Sequence, residues 1–69
     1  MTYAAMRNAA IEALAECWAS MDGKLDEFRA GKASKSDPGG HYQGYWVEAS
    51  DVLQRLETRG FTIKPTEPA

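Results

Sequence analysis

Residues 11–28 read Ile11-Glu12-Ala13-Leu14-Ala15-Glu16-Cys17-Trp18-Ala19-Ser20-Met21-Asp22-Gly23-Lys24-Leu25-Asp26-Glu27-Phe28. Ile11, Leu14, Trp18, Met21, Leu25 and Phe28 recur in steps of three and four, the spacing that lines side chains along one stripe of an α-helix. Asp22-Gly23 is turn chemistry by local rules and would divide the stretch in two. The register decides the other way. Leu25 and Phe28 stay in phase with Trp18 and Met21 across the glycine, and an interior Gly costs only about 1 kcal/mol relative to Ala.

Working outward, the Ala-rich segment from Tyr3 or Ala4 extends the helix backwards, with Met1 and Thr2 frayed and Thr2 a serviceable cap. Forwards, Gly31 is placed to end it in the left-handed conformation that glycine takes without strain. The expectation is one helix over residues 3–30, bent at Gly23. A second helix is predicted over residues 45–59, where Trp46, Ala49, Leu53 and Leu56 repeat at three and four, widened by Tyr45 and Val52. Gly60-Phe61 reads as a Schellman stop. Phe61-Thr62-Ile63 then forms a short extended piece before a polar tail, residues 64–69, closed by Pro65 and Pro68. Between the helices lies the loop 32–44, roughly thirteen residues and long for such a connection, whose Asp37-Pro38-Gly39-Gly40 is strong turn chemistry.

The fold class expected is all-α: one domain, residues 1–69, folded as an antiparallel helical hairpin. The pairing would set Phe28 against Trp46, Leu25 against Ala49, Met21 against Leu53 and Trp18 against Leu56, with Phe61 and Ile63 near Leu14 and Ile11. A helix of about 40 Å facing one of about 23 Å leaves part of the first stripe open. Met6, Ala10, Ile11 and Leu14 are therefore the expected self-interface of a homodimer with a four-helix arrangement.

Length and composition point the same way. A chain of 69 residues buries only about 60% of the surface its unfolded form exposes, so added support is expected. A single cysteine cannot form an intramolecular disulfide, and a lone thiol fits a reducing cytoplasm. One Cys and one His fall short of a structural zinc site, and no cofactor is expected. No window is apolar enough to span a membrane, and the N-terminus lacks a signal-peptide layout, so the expected location is the cytoplasm. A net charge of -2 argues against a default nucleic-acid binder.

Candidate chemistry is sparse. Lys32 after Gly31 lacks the earlier Gly and the following Ser or Thr of a phosphate-binding loop, and Asp22–Asp26 lacks the ligand spacing of a calcium loop. His41 stands beside Tyr42, Tyr45 and Trp46, where core or lid is a better reading than acid-base work. Cys17 reads as a half-buried small apolar residue beside the stripe. Glu12, Glu16, Asp26 and Glu27 form an outward acidic face on the first helix, with Glu48 and Asp51 outward on the second. Lys24, Arg29, Lys32 and Lys35 cluster toward the loop as the best anion or nucleic-acid patch available. Tyr42, Tyr45 and Trp46 cannot all enter so small a core, and surface aromatics are enriched at binding hot spots.

The Ala-rich opening helix, Trp18 ahead of Asp22-Gly23-Lys24, and Tyr45, Glu48-Ala49, Leu56 and Arg59-Gly60-Phe61 closing a second helix together resemble the short orphan proteins carried by phages and prophages. The resemblance implies an accessory or anti-defence role in which a small protein binds and blocks a host machine, as anti-CRISPR proteins do. Those proteins share no diagnostic motif, so no functional residue carries over. The reading that results is a non-enzymatic interaction protein, dimeric, whose partner is another protein reached through the acidic face and the Tyr42, Tyr45, Trp46 end. Two alternatives stand beside it: a small-ligand or nucleotide-binding dimer using the loop lysines and aromatics, and a nucleic-acid-binding regulator.

Overall fold

Thr2 begins the first helix as expected. In extended conformation, its hydroxyl accepts the Ala5 N–H at 3.1 Å and satisfies one of the orphan donors of the first turn. In this computed structural model, residues 2–34, 36–37 and 39–64 are described. Met1, Lys35, Pro38 and the tail after Lys64 lie outside them. The helices are α1, Tyr3–Met21, α2, Leu25–Ala33, and α3, His41–Thr58. No strand occurs among the described residues, and no described helix is long and apolar enough to cross a membrane.

The single long helix is therefore corrected to two. Gly23 stands at φ +71, its N–H bonding the Ser20 carbonyl at 3.1 Å and the Lys24 N–H bonding the Ala19 carbonyl at 2.7 Å. That pair of bonds is a Schellman motif, which satisfies two of the free carbonyls at the end of α1 and turns the chain. Met21, placed in the core stripe by spacing, is 78% exposed at this corner. Gly31 does not end a helix. It is buried inside α2, which runs on to Ala33.

α3 begins four residues earlier than predicted because Asp37 caps it from a distance. Its carboxylate accepts the Tyr42 N–H at 3.3 Å and the Gln43 N–H at 2.9 Å. Two of the free donors of the α3 first turn are thereby satisfied. At the far end the predicted Schellman stop is present, with Gly60 at φ +94, its N–H on the Glu57 carbonyl at 3.1 Å and the Phe61 N–H on the Leu56 carbonyl at 3.1 Å.

α1 and α3 run antiparallel, but in a different register from the expected one. Glu57 lies against Tyr3 and Arg7 at one end, and Tyr42 reaches Glu12 toward the other. Relative to the Trp18–Leu56 pairing, α3 has slid along α1 by roughly 10–20 residues, about 15–30 Å. It can do so because α1 stops at Met21. α2 folds back as a third helix over the α1–α3 seam and inserts Phe28, 1% exposed, against the Tyr42 and Tyr45 rings, with centroids 5.1 and 6.4 Å away. The core is Ile11, Ala15, Ala19, Phe28, Ala49 and Leu53, with Leu14, Trp18, Trp46 and Ile63 packed around it. Three of these six are alanines, which let the helix backbones approach closely. The slide also covers the surface expected to be open. Ile11 is fully buried within the chain and Leu14 packs on the core.

Candidate functional site

All three charged side chains of α1 are committed to partners on the other helices. Arg7 bonds Glu57 through Nη2 at 2.9 Å, Glu16 accepts from Arg29 at 3.1 Å, and Glu12 is paired with Lys32. The acidic face and basic tip read from the sequence are thus laid against each other. Such partly exposed pairs contribute little stability. Their importance is for charge distribution: Glu12, Glu16, Arg29 and Lys32 cancel locally. Lys32 is held above its ordinary pKa by the hydrogen bond and charge of Glu12. Lys24 is exposed at the start of α2, and Lys35 lies outside the described residues, so the four cations do not form one patch among the described residues.

The three aromatics are divided as well. Each is half-buried and packed against the core. Tyr42 and Trp46 face a cleft of about 380 Å³ between α1 and α3, shared with Asn8, Glu12 and Gln43. The Tyr42 phenol is pushed up, first by burial and then by the neighbouring Glu12 charge. Tyr45 faces the opposite side, where its hydroxyl donates to Asp22 at 2.8 Å.

That second side gathers Asp22, Glu27 and Glu48. A groove of about 310 Å³ is lined by Asp22, Gly40, His41, Gly44, Tyr45 and Glu48, and it adjoins a smaller hollow where Glu27 meets His41. The Tyr45 phenol is raised, chiefly by its bond to Asp22, then by burial and by the charges of Asp22, Glu48 and Glu27. Neither Glu27 nor Glu48 has an ion-pair partner among the described residues, and Asp26 is exposed next to Glu27 on α2. The groove floor is open because Gly40 and Gly44 carry no side chain.

Of the acids singled out from the sequence, then, Glu27 belongs to this side, Glu12 and Glu16 belong to the neutralised α1–α2 seam, and Asp26 is exposed on α2 and lines neither groove. Asp22, Gly44 and Glu48 were not recognised as one site. His41, Gly44, Tyr45 and Glu48 do share a helical strip at steps of three and four, but the strip is invisible when residues 41–44 are read as loop. Cys17, expected half-buried, is exposed on the outer side of α1. No protein-family model, curated protein or solved structure matches this chain.

Proposed function

We propose that the protein is a non-enzymatic binding domain whose contact surface is the groove of Asp22, His41, Gly44, Tyr45 and Glu48, flanked by Glu27, and whose partner is a protein presenting a basic segment. The observation that carries this reading is the segregation of charge: the acids of α1 are neutralised within the fold, while Glu27, Glu48 and Asp22 converge on a recess with an aromatic wall. A Lys or Arg side chain entering it would meet carboxylates on two sides and the edge or face of Tyr45, and complementary charge would speed encounter. Blocking a basic surface of a larger machine, in the manner of phage accessory proteins, is the form such binding would take.

The test is titration with a short Arg- and Lys-rich peptide, followed residue by residue by NMR. Shifts should concentrate at Asp22, Glu27, Tyr45 and Glu48, weaken as salt rises, and vanish in Glu27→Lys/Glu48→Lys, whose substitutions are exposed and leave the core intact. Shifts elsewhere, or shifts that persist in that variant, would refute the assignment. The cleft at Asn8, Glu12, Tyr42, Gln43 and Trp46 supports a second reading, a small-ligand site within one chain. Its neutral charge balance and two side-chain amides suit an uncharged, hydrogen-bonding ring, and chemical-shift changes confined to Asn8 and Gln43 on adding free nucleobases would favour it.

A further inference from the structure

Asp22-Gly23 is the one place in the sequence where an Asp or Asn precedes glycine. That step has a chemistry of its own. The backbone nitrogen of the second residue can attack the side-chain carboxyl carbon of the first, and glycine, without a Cβ, leaves its nitrogen unshielded. The N–Cγ bond forms, the amide hydrogen and the carboxyl OH leave as water, and a cyclic succinimide results. Water then reopens the ring at either carbonyl, returning aspartate or giving isoaspartate, in which the main chain runs through Cβ and Cγ. Elsewhere the sequence withholds a requirement. Asn8, Asp26 and Asp51 precede Ala9, Glu27 and Val52 within helices, and Asp37 precedes a proline, which has no N–H.

The corner between α1 and α2 holds this bond away from the reactive geometry. Asp22 stands at φ -84 and ψ 0, so the Gly23 nitrogen eclipses the Asp22 nitrogen and lies a third of a turn from the Cβ across which the ring must close. Turning the peptide toward Cβ breaks the Schellman pair, the Gly23 N–H on the Ser20 carbonyl at 3.1 Å and the Lys24 N–H on the Ala19 carbonyl at 2.7 Å. Closure also draws Cγ over the backbone, and the carboxylate is held from α3 by the Tyr45 hydroxyl at 2.8 Å. We propose that Asp22-Gly23 is the site of isoaspartate formation in this protein, and that the Tyr45 hydroxyl is a latch whose release sets the rate. The reaction needs a local opening of the corner, far short of unfolding the chain. Among the described residues nothing lies within 4 Å of where a Gly23 Cβ would stand, so the peptide has room to turn once these bonds part. Isoaspartate would lengthen the main chain by one atom at the turn, pulling the Schellman donors out of place and taking from Tyr45 its partner. The reaction is one of the chain with itself, so it stands or falls independently of the binding role proposed above.

Peptide mapping after prolonged incubation at neutral pH and body temperature follows the reaction, because the tryptic peptide ending at Lys24 separates into aspartate and isoaspartate forms. With three hydrogen bonds to part first, the native chain should form isoaspartate about 10- to 100-fold more slowly than a synthetic peptide of residues 18–26. Tyr45→Phe removes one of those bonds and should quicken the native reaction roughly fivefold. Glu57→Gln separates the latch from a general loss of stability. It loosens the opposite end of the molecule, where Glu57 holds Arg7 and Tyr3, and its rate should match the native one. A native chain that ages as fast as the peptide, a Tyr45→Phe rate equal to the native rate, or equal quickening in Tyr45→Phe and Glu57→Gln would each overturn the proposal. So would isoaspartate accumulating first at Asn8 or at another aspartate.

Discussion

Gly23 and Gly31 exchange the roles that periodicity assigns to them. Spacing makes Gly23 an interior residue of a long helix and Gly31 its stop; in the structure Gly23 is the stop and Gly31 the interior residue. The two positions need glycine for separate reasons. At Gly23 the backbone is at φ +71 and nothing lies within 4 Å of where a Cβ would stand, so the requirement is conformational. Gly31 has an ordinary helical backbone, but a Cβ there would collide with the Asp37 carboxylate and stand 3.0 Å from the Tyr42 Cβ. Its requirement is space, and that space is what allows Asp37 to sit between the end of α2 and the start of α3.

The largest effect is expected where space is the issue. Gly31→Ala forces the Asp37 side chain off its two N–H donors and crowds α3, and should cost about 2–3 kcal/mol. For a domain this small that lowers the thermal midpoint by 10 °C or more. Asp37→Ala alone loses a helix cap and should cost about 1 kcal/mol. If the clash with Asp37 carries much of the Gly31→Ala penalty, the double variant will be more stable than the sum of the singles predicts, by about 1 kcal/mol. Additive losses in denaturant titrations would place the penalty on Tyr42 instead.

Gly23→Ala should cost less, about 1–2 kcal/mol, the left-handed penalty of an L-residue. Asn, which tolerates that region, should lose only part of it. The sharper version uses a D-residue in synthetic protein. D-Ala at position 23 fits the positive φ and should stabilise by roughly 0.5–1 kcal/mol through the unfolded chain. The same residue at position 31 should destabilise, because its helical backbone disfavours D-residues. Equal signs at the two positions would erase the distinction.

Why the reading of residues 11–28 failed follows from this pair. Phe28 is in phase with Trp18 because both helices must meet one core, and a Schellman turn can reset direction while the next helix still presents its apolar side inward; Leu25, equally in phase, instead borders the groove beside Glu16 and Cys17. Periodicity identifies which residues face inward, and Phe28 and Leu53 were legible in that way; it does not say that the backbone between them is continuous. The central line of α1 is Ile11, Ala15 and Ala19, more than Leu14 or Trp18, because close helix approach favours the smallest side chains, and size-weighted reading overlooks them. Helix composition, the Thr2 cap and the Gly60 stop depend on neighbours in sequence and were readable. The ion pairs of Glu12 and Glu16, and the grouping of Asp22, Glu27 and Glu48 around Tyr45, depend on where α2 lands, which local sequence does not specify.

Gly60 supplies the smallest and most discriminating comparison. It repeats the hydrogen bonds of Gly23, yet only Phe61–Lys64 of the described chain follows it, so Gly60→Ala should cost under about 1 kcal/mol: the segment can detach, losing little beyond the packing of Ile63. The residue whose carbonyl accepts the Gly60 N–H is Glu57, and its carboxylate is held below the ordinary carboxylate range by hydrogen bonds from Arg7 first and Tyr3 second. A depressed folded pKa means that this carboxylate favours the fold fully above its unfolded value, about 4.3, and that the contribution disappears as pH falls through the lower folded value. Glu57→Gln should therefore lower the melting temperature at pH 7 and converge with the native protein in strong acid. Gly60→Ala, whose penalty is conformational, should keep the same offset across that range. A Gly60→Ala offset that shrank with acid would mean that the cap and the Arg7–Glu57 pair form one cooperative unit, unlike the corner at Gly23, where no ion pair among the described residues involves Asp22 or Lys24.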